Sequence, residues 1–217
     1  MRTFGFPEFL LILEAAQWTL ALSAIAFVGG AILGLAIALM RTSESAWARG
    51  VSTTFIQIFQ GTPLLLQLFL VFFGTPVLGL DINPWVAAGV ALVLNSAAFL
   101  GEIWRGCIEA IPRGQWEAAQ ALSLSYSARM RDVVLPQAFR IALAPTVGYL
   151  VQIIKGTSLA AIIGFVEVTR AGQIVNNATF QPLVVFSVVA AIYFVICWPL
   201  SLLAAHMERK RARALAR

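Results

Sequence analysis

Long stretches without any charged side chain constrain this chain more than any other feature. Residues 15–40, 50–80 and 82–101 contain no Asp, Glu, Lys or Arg. A helix needs roughly 20 predominantly apolar residues to cross a bilayer, and each stretch reaches that length. Of all residues, 60% are hydrophobic and 12% are charged, whereas about a quarter of a soluble domain is charged. The sequence therefore predicts an all-α integral membrane protein with about five transmembrane helices.

Two polar interruptions break the long apolar stretches, and a pair of glycines predicts a packing contact. Gly61-Thr62-Pro63 breaks the second stretch, so we expect an approach segment and then a span that starts near Leu64. Lys155-Gly156-Thr157-Ser158 places a cation and a helix break inside the fourth span. Gly30 and Gly34 predict close packing of the first span against another helix. The predicted spans cover 15–40, a segment from about 64, 84–110, 138–166 and 182–206.

The cationic residues lie mainly on one side of this topology. The other side receives Arg2 and Arg170, and the sequence leaves the depths of Arg105 and Lys155 open. Because cytoplasmic loops carry the excess of Lys and Arg, we expect the N-terminus outside and the C-terminus in the cytoplasm. Eleven of the 15 Lys and Arg residues support this orientation: Arg41, Arg49, Arg113, Arg129, Arg131, Arg140, Arg209, Lys210, Arg211, Arg213 and Arg217.

The longest polar interruption is residues 117–136, which we call the polar segment. A first short helix is expected over 115–122 and a turn at 123–125, followed by a second short helix that ends before Pro136. Two bent helices outside the bilayer are not needed for spanning, so we interpret them as a docking surface. Its apolar side would consist of Ala118, Ala119, Leu122 and Leu124, with Glu117, Arg129 and Arg131 around it.

The chain lacks the phosphate loop that binds ATP in many transport ATPases, namely glycine, four residues, then Gly-Lys-Ser or Gly-Lys-Thr. It also lacks paired carboxylates at membrane depth on one predicted helix, metal-like cysteine spacing and the usual catalytic motifs. We therefore predict that it is not an enzyme and holds no metal or cofactor. If ATP drives it, another polypeptide must bind the nucleotide, and the polar segment would transmit that protein's motion to the spans.

The spacing within the polar segment resembles the EAA loop of bacterial ABC importer permeases. Glu117-Ala118-Ala119 is followed by Ser123 and then by Val133-Val134-Leu135-Pro136. The family normally has glycine where this chain has Ser123, which would cost about 1 kcal/mol in a left-handed turn. The resemblance implies a type I ABC importer transmembrane fold with a cytoplasmic coupling helix. It assigns contact with the ATPase to Glu117, Ala118, Ala119, Ser123, Leu135 and Pro136.

Further motifs are similar to those of the polar amino-acid uptake permeases. They include Gly61 to Leu65, Pro112 to Glu117, Lys155 to Leu159 and Thr169 to Gln173. The resemblance covers 19–207, which we take as the permease domain, with 208–217 as a basic cytoplasmic tail. It implies two ATP-binding subunits that hold ATP and Mg, a second permease subunit (identical or different), and a periplasmic or lipid-anchored amino-acid-binding protein. The expected location is the bacterial inner membrane, and no nucleic-acid partner is expected.

Polar residues inside the spans are candidates for the substrate pathway. Asn95 either bonds a neighbouring helix or faces an aqueous path, and Glu102 either pairs with Arg105 or lines a cavity. Lys155 either reaches the membrane surface or faces water. We hypothesise that Glu102 meets a substrate ammonium and that Lys155, Thr157 and Ser158 meet its carboxylate.

Two departures from the family pattern bear on the substrate. The family often has arginine where this chain has Gln60, and aspartate where it has Gly156, so one carboxylate fewer argues against a cationic substrate. The leading function is import of a polar amino acid or a similar small zwitterion. The alternatives are an ion-coupled secondary transporter or a channel, and a membrane scaffold or enzyme.

Overall fold

The computed structural model describes residues 3–215, so Arg2 and Arg217 lie outside the described residues. Within this range the chain is built from helices and contains no strand. A short π-helix, Arg129–Val134, precedes α8, and a 3-10 helix, Thr157–Ile163, follows it. The α-helices are α1 (Phe6–Glu14), α2 (Ala16–Thr42), α3 (Ala46–Gly61), α4 (Leu64–Val77), α5 (Pro84–Glu109), α6 (Arg113–Ala121), α7 (Tyr126–Ala128), α8 (Leu135–Gly156), α9 (Val168–Thr179) and α10 (Pro182–Leu215).

Four helical units among the described residues are long and apolar enough to cross a membrane: Phe6–Thr42, Pro84–Glu109, Tyr126–Ile163 and Pro182–Arg211. The count rises to five if the bent pair α3 and α4 forms one span. This agrees with the predicted fold class. The last helix continues to Leu215, so no break in secondary structure marks the predicted boundary between residues 207 and 208.

Helices α2 and α5 form the centre of the bundle, and a glycine permits their close approach. A Cβ atom added to Gly30 would lie 2.5 Å from Cβ of Ser96 and 3.2 Å from its carbonyl carbon. Glycine at this point lets the α2 backbone rest on α5. The close packing predicted from Gly30 and Gly34 is therefore confirmed, and α5 becomes the fixed wall against which the other helices pack.

The predicted break at Gly61-Thr62-Pro63 is present, and α3 and α4 meet there at an angle of 101°. Helix α4 begins at Leu64 as expected but ends after 14 residues, at Val77. At 1.5 Å per residue it is about 21 Å long, short of the roughly 30 Å hydrocarbon core. The expectation of a full span starting at Leu64 is therefore wrong, because only the bent pair has the required length.

The sequence predicts that the second helix of the polar segment ends before Pro136. In the structure it does not end there, so this prediction is wrong. Helix α7, the π-helix and α8 run on without a break, and Pro136 occupies the first turn of α8. Pro136 contributes no N–H to this continuous helix, and the irregular π-helical turn lies directly before it. The C-terminal half of the polar segment, from Tyr126, is consequently continuous with the fourth span as far as Ile163.

Candidate functional site

Helix α6 ends in a turn that contains the residue predicted to be unusual. Ser123 has a φ of 55°, in the left-handed region. Its N–H donates to the Gln120 carbonyl at 2.8 Å, and the Leu124 N–H donates to the Ala119 carbonyl at 3.2 Å. This pair of bonds is a Schellman motif, for which glycine is the preferred residue at the left-handed position. The left-handed turn therefore explains why a glycine is expected at position 123 and why a serine there lowers the stability of the turn.

One side of the polar segment is buried against the ends of three membrane helices. Ala119 is only 3% exposed, and Trp116 and Leu135 pack on a buried cluster at these helix ends. The expectation that Ala119 belongs to the exposed apolar side is wrong, because this methyl group faces the body of the protein. The buried cluster comprises Ala38, Ile108, Ile111, Met130, Val134 and Ala138.

The other side of the polar segment is open. Leu122 is 74% exposed, and Glu117, Ala118, Ser123 and Pro136 are exposed as well. The predicted coupling residues thus divide into four at the surface and two, Ala119 and Leu135, that support it from beneath.

Two contacts that the sequence analysis missed tie the polar segment to the end of α2. The Tyr126 hydroxyl donates to the Thr42 carbonyl at 2.8 Å. An Arg129 guanidinium nitrogen lies 3.8 Å from a carboxylate oxygen of Glu44. Because the acceptor for Tyr126 is a backbone carbonyl, no sequence pattern could have identified it. The polar segment is therefore anchored to two spans, α8 by continuity and α2 by these contacts.

A cavity of about 290 Å³ lies between α4, α5 and α8. Its polar groups are neutral, and no ionised side chain contributes to its wall among the residues that the structure describes. The rings of Phe99 and Tyr149 stack at a centroid distance of 5.4 Å and join the two longer helices. The lining residues are Leu64, Leu92, Asn95, Ser96, Phe99, Tyr149, Gln152, Ile153 and Gly156.

Asn95 connects this cavity to the break between α3 and α4. Its Nδ2 donates to Oε1 of Gln67 at 3.0 Å, and its Oδ1 accepts a long bond from the Tyr149 hydroxyl at 3.4 Å. The bond to a neighbouring helix, one of the two alternatives predicted for Asn95, is therefore present, and Asn95 also lines a cavity; that it faces an aqueous path stays a prediction. The sequence analysis gave Gln67 no role.

Glu102 forms an ion pair within its own helix. Arg105 reaches the two Glu102 oxygens at 2.6 and 2.9 Å and also pairs with Glu109. The predicted pairing of Glu102 with Arg105 is confirmed. Glu102 is not among the residues that line the cavity at Asn95.

The three other predicted pathway residues lie elsewhere. Lys155 and Ser158 line a separate groove of about 540 Å³ against α10. Thr157 is fully buried, and its hydroxyl donates to the Ile154 carbonyl at 2.7 Å. The structure thus does not bring Lys155, Thr157 and Ser158 into one site with Glu102, because Lys155 and Ser158 face the groove against α10 while Glu102 pairs with Arg105 on its own helix. The helix break predicted at Gly156 to Ser158 takes the form of a change from α-helix to 3-10 helix at Thr157.

A buried carboxylate that the sequence analysis missed fixes α9. Glu167 is 0% exposed and accepts bonds from the backbone N–H groups of Thr169 and Arg170, both at 2.8 Å. The Tyr193 hydroxyl on α10 donates to the same carboxylate at 2.6 Å. Burial raises the pKa of Glu167, and these hydrogen bonds oppose that rise. The arrangement is a helix cap joined to the neighbouring helix.

Comparison with known proteins places these features in a family. Residues 18–213 match the model of the binding-protein-dependent transport system inner membrane component. The chain is 36% identical to the probable amino-acid ABC transporter permease protein YckA of Bacillus subtilis, over 94% of this chain and 91% of that protein. It is 36% identical to the glutamine transport system permease protein GlnP of Escherichia coli K12, over 94% of each.

A solved structure shares the architecture. The crystal structure of an amino acid ABC transporter with histidines contains a chain that is similar with a TM-score of 0.88 and 33% identity. The match covers 96% of the present chain and 100% of that one. The bent pair α3 and α4 and the polar segment therefore lie within a fold shared along nearly the full length.

Proposed function

The chain belongs to the family of binding-protein-dependent transport system inner membrane components, and from that premise we propose that it imports a polar amino acid when a separate ATPase moves its polar segment. The family assignment based on the Glu117 to Pro136 spacing is confirmed. The chain is a permease subunit and not an enzyme, since ATP hydrolysis in this family belongs to other subunits. The secondary-transporter, channel, scaffold and enzyme alternatives gain no support.

One observation carries the proposal: a single uninterrupted helical unit joins the polar segment to the cavity. Tyr126–Ile163 starts in the polar segment, and its α8 part contributes Tyr149, Gln152, Ile153 and Gly156 to the cavity wall. Packed helices can shift as bodies against their neighbours, and this unit packs along α2, α5 and α10. A push on α6 would therefore move one wall of the cavity relative to α5.

The six residues predicted to couple to the ATPase would act in two ways, by direct contact and by support from the buried side. Glu117, Ala118, Ser123 and Pro136 would contact the ATPase, with exposed Leu122 filling a groove on it. Ala119 and Leu135 would act indirectly, by holding α6 against the ends of α2, α5 and α8. The contacts of Tyr126 and Arg129 with the end of α2 would carry the same displacement to the first span.

The cavity suits a small neutral or zwitterionic molecule. Its volume of about 290 Å³ is at the lower limit of small-molecule pockets, roughly 300 Å³. The related proteins are named for glutamine, L-cystine and arginine transport, which supports an amino acid as the substrate class. Asn95 would contact the substrate directly. Glu102 stays paired with Arg105, while Lys155 and Ser158 would border a second part of the path, beside buried Thr157.

The family also implies the other subunits of the transporter. Two ATP-binding subunits would hold ATP and Mg, a second permease subunit would complete the passage, and a periplasmic or lipid-anchored binding protein would deliver the amino acid. The basic residues on the polar segment support a cytoplasmic position for it. The N-terminus would then lie outside and the tail 208–217 in the cytoplasm of a bacterial inner membrane. Residues 19–207 would form the permease domain.

The direct test is ATP hydrolysis by the complete complex in lipid vesicles. The chain is co-expressed with its ATPase and binding protein, and hydrolysis is measured with and without L-glutamine, L-cystine or L-arginine. We expect at least one amino acid to stimulate hydrolysis, and the Leu122→Asp variant to lose the stimulation together with the bound ATPase. An ATPase that stays bound to Leu122→Asp, or hydrolysis that no amino acid stimulates, would contradict the proposal.

A further inference from the structure

The amide of Gln67 can be oriented from its surroundings alone. One end of this side chain faces the Phe59 carbonyl at 2.8 Å, the Thr62 carbonyl at 3.0 Å and the Thr62 hydroxyl at 2.9 Å. Carbonyl oxygens only accept hydrogen bonds. The Thr62 hydroxyl already donates its proton to the Ile58 carbonyl at 2.7 Å. Everything at this end therefore accepts, and the atom of Gln67 that faces it must be the NH2 group.

This orientation of Gln67 determines that of Asn95. With its NH2 group committed to the break between α3 and α4, Gln67 turns its Oε1 toward Asn95. An oxygen with no proton can only accept, so the Asn95 atom 3.0 Å away is the NH2 group. The Asn95 oxygen is consequently left on the side of Tyr149, a residue that also lines the cavity.

The Asn95 oxygen has spare capacity to accept a ligand. An amide oxygen carries two lone pairs, and the only bond it receives from the described residues is the long one from Tyr149 at 3.4 Å. Asn95 is 8% exposed, so a partner in the cavity would meet this oxygen away from bulk water. A hydrogen bond made there to a charged donor is stronger than one made at the surface.

We propose that Gln67 is a positioning residue that locks the Asn95 amide with its oxygen toward the cavity, so that the cavity selects ligands presenting an N–H donor. The inference rests on the proposed function and adds to it the chemistry that the site recognises. The donor would be the ammonium group of an amino acid. Flipping Asn95 would turn the same wall into a donor, but it would set the Asn95 oxygen against the Gln67 oxygen, and neither has a proton to share. The break in the helix thus determines the specificity of the cavity.

The test compares two ligands that differ in N–H groups and retain the positive charge. L-Glutamine and its N,N,N-trimethyl derivative are bound by equilibrium dialysis to the permease–ATPase complex in nanodiscs, without the binding protein. We expect the wild type to prefer L-glutamine by about tenfold, the size of one hydrogen bond to a charged group. In Gln67→Met the Asn95 amide can turn, and this preference should fall toward one.

Two further variants distinguish positioning from general damage. Thr62→Val removes one of the three acceptors and leaves both carbonyls, so Gln67 keeps its orientation and the preference should match the wild type. Asn95→Leu removes the oxygen while Gln67 remains, so the preference should fall as in Gln67→Met. It also provides the measurement if Gln67→Met does not fold.

Each contrary result has a distinct meaning. Equal loss of affinity for both ligands in Gln67→Met, with the preference intact, would show a purely structural or steric role and overturn the inference. Failure of the wild type to bind either ligand would also overturn it. The proposed function would survive both results as long as an amino acid still stimulates ATP hydrolysis in the complete complex.

Discussion

The Tyr126 hydroxyl donates a hydrogen bond of 2.8 Å to the Thr42 carbonyl, and this bond joins the polar segment to the last residue of helix α2. Thr42 ends the helix whose middle packs on α5 through Gly30. Displacement of the polar segment can therefore reach the centre of the bundle by a second route besides α8. The two routes start within a few residues of each other, at Tyr126 and at the π-helix that follows it.

Tyr126→Phe should reduce the coupling of ATP hydrolysis to transport. The ring stays in its buried cluster, and only the bond to α2 is lost, at a cost of about 1 kcal/mol in stability. We expect the number of amino acids imported per ATP to fall in vesicles while the ATPase stays bound. Thr42→Val is the matched control, because the bond uses the backbone carbonyl and survives this change. If Thr42→Val impairs coupling as much as Tyr126→Phe, the second route does not exist.

Ser123→Gly should stabilise the protein. Residue 123 has a φ of 55°, where a side chain costs about 1 kcal/mol relative to glycine. The midpoint of thermal unfolding should rise. Ser125→Gly serves as the contrasting control, because Ser125 accepts a bond from the Ala128 N–H at 3.3 Å and its loss should lower the midpoint. A lower midpoint in Ser123→Gly would mean that the turn does not need the left-handed conformation.

Gly30→Ala should destabilise the bundle. Its new methyl group would lie 2.5 Å from Cβ of Ser96, and such overpacking costs about 1–3 kcal/mol. Gly106→Ala, in the same bundle, has no atom within 4 Å of the added carbon. It should be neutral or stabilising by about 0.5–1 kcal/mol. Thermal unfolding of both variants checks this, and equal midpoints would contradict the close contact of α2 with α5.

Glu167→Gln should change how stability depends on pH. Burial raises the folded-state pKa of Glu167 above its ordinary value of 4.5. The protonated carboxyl is therefore favoured in the folded state, and its contribution is complete below 4.5 and lost as pH rises through the folded pKa. The wild-type midpoint of thermal unfolding should decline over that window relative to the Gln variant, which has no proton to lose. Parallel curves would show that the folded pKa is not raised.

Much of the fold could be predicted because it depends on local chemistry. The uncharged stretches predict the spans, and Gly61-Thr62-Pro63 predicts the break, since glycine disfavours a helix through its backbone entropy and proline lacks the N–H that a helix needs. Pro136 misled the prediction for a local reason too. Proline ends many helices, yet here a π-helix leads directly up to Leu135 and the helix continues through Pro136, which the sequence does not show.

The candidate site was harder to predict because it depends on how helices rotate against each other. Periodicity places Asn95 and Glu102 on one helix, but it does not tell which side of α8 faces them. As a result, Lys155 was grouped with Glu102, while the structure turns it to a groove against α10. Gln67 was missed for a related reason, since its partners at Phe59 and Thr62 are largely backbone atoms.

The central claim is that the exposed side of the polar segment binds an ATPase in the cytoplasm. It is tested most directly by site-specific cross-linking from Leu122→Cys after Cys107 and Cys197 have been changed to alanine. The matched position is Leu78→Cys, which is 77% exposed compared with 74% for Leu122 and lies in the loop between α4 and α5. We predict cross-links from residue 122 to the ATPase and none from residue 78. Labelling of residue 122 by a membrane-impermeant maleimide added outside intact cells, without a cross-link to the ATPase, would contradict the account.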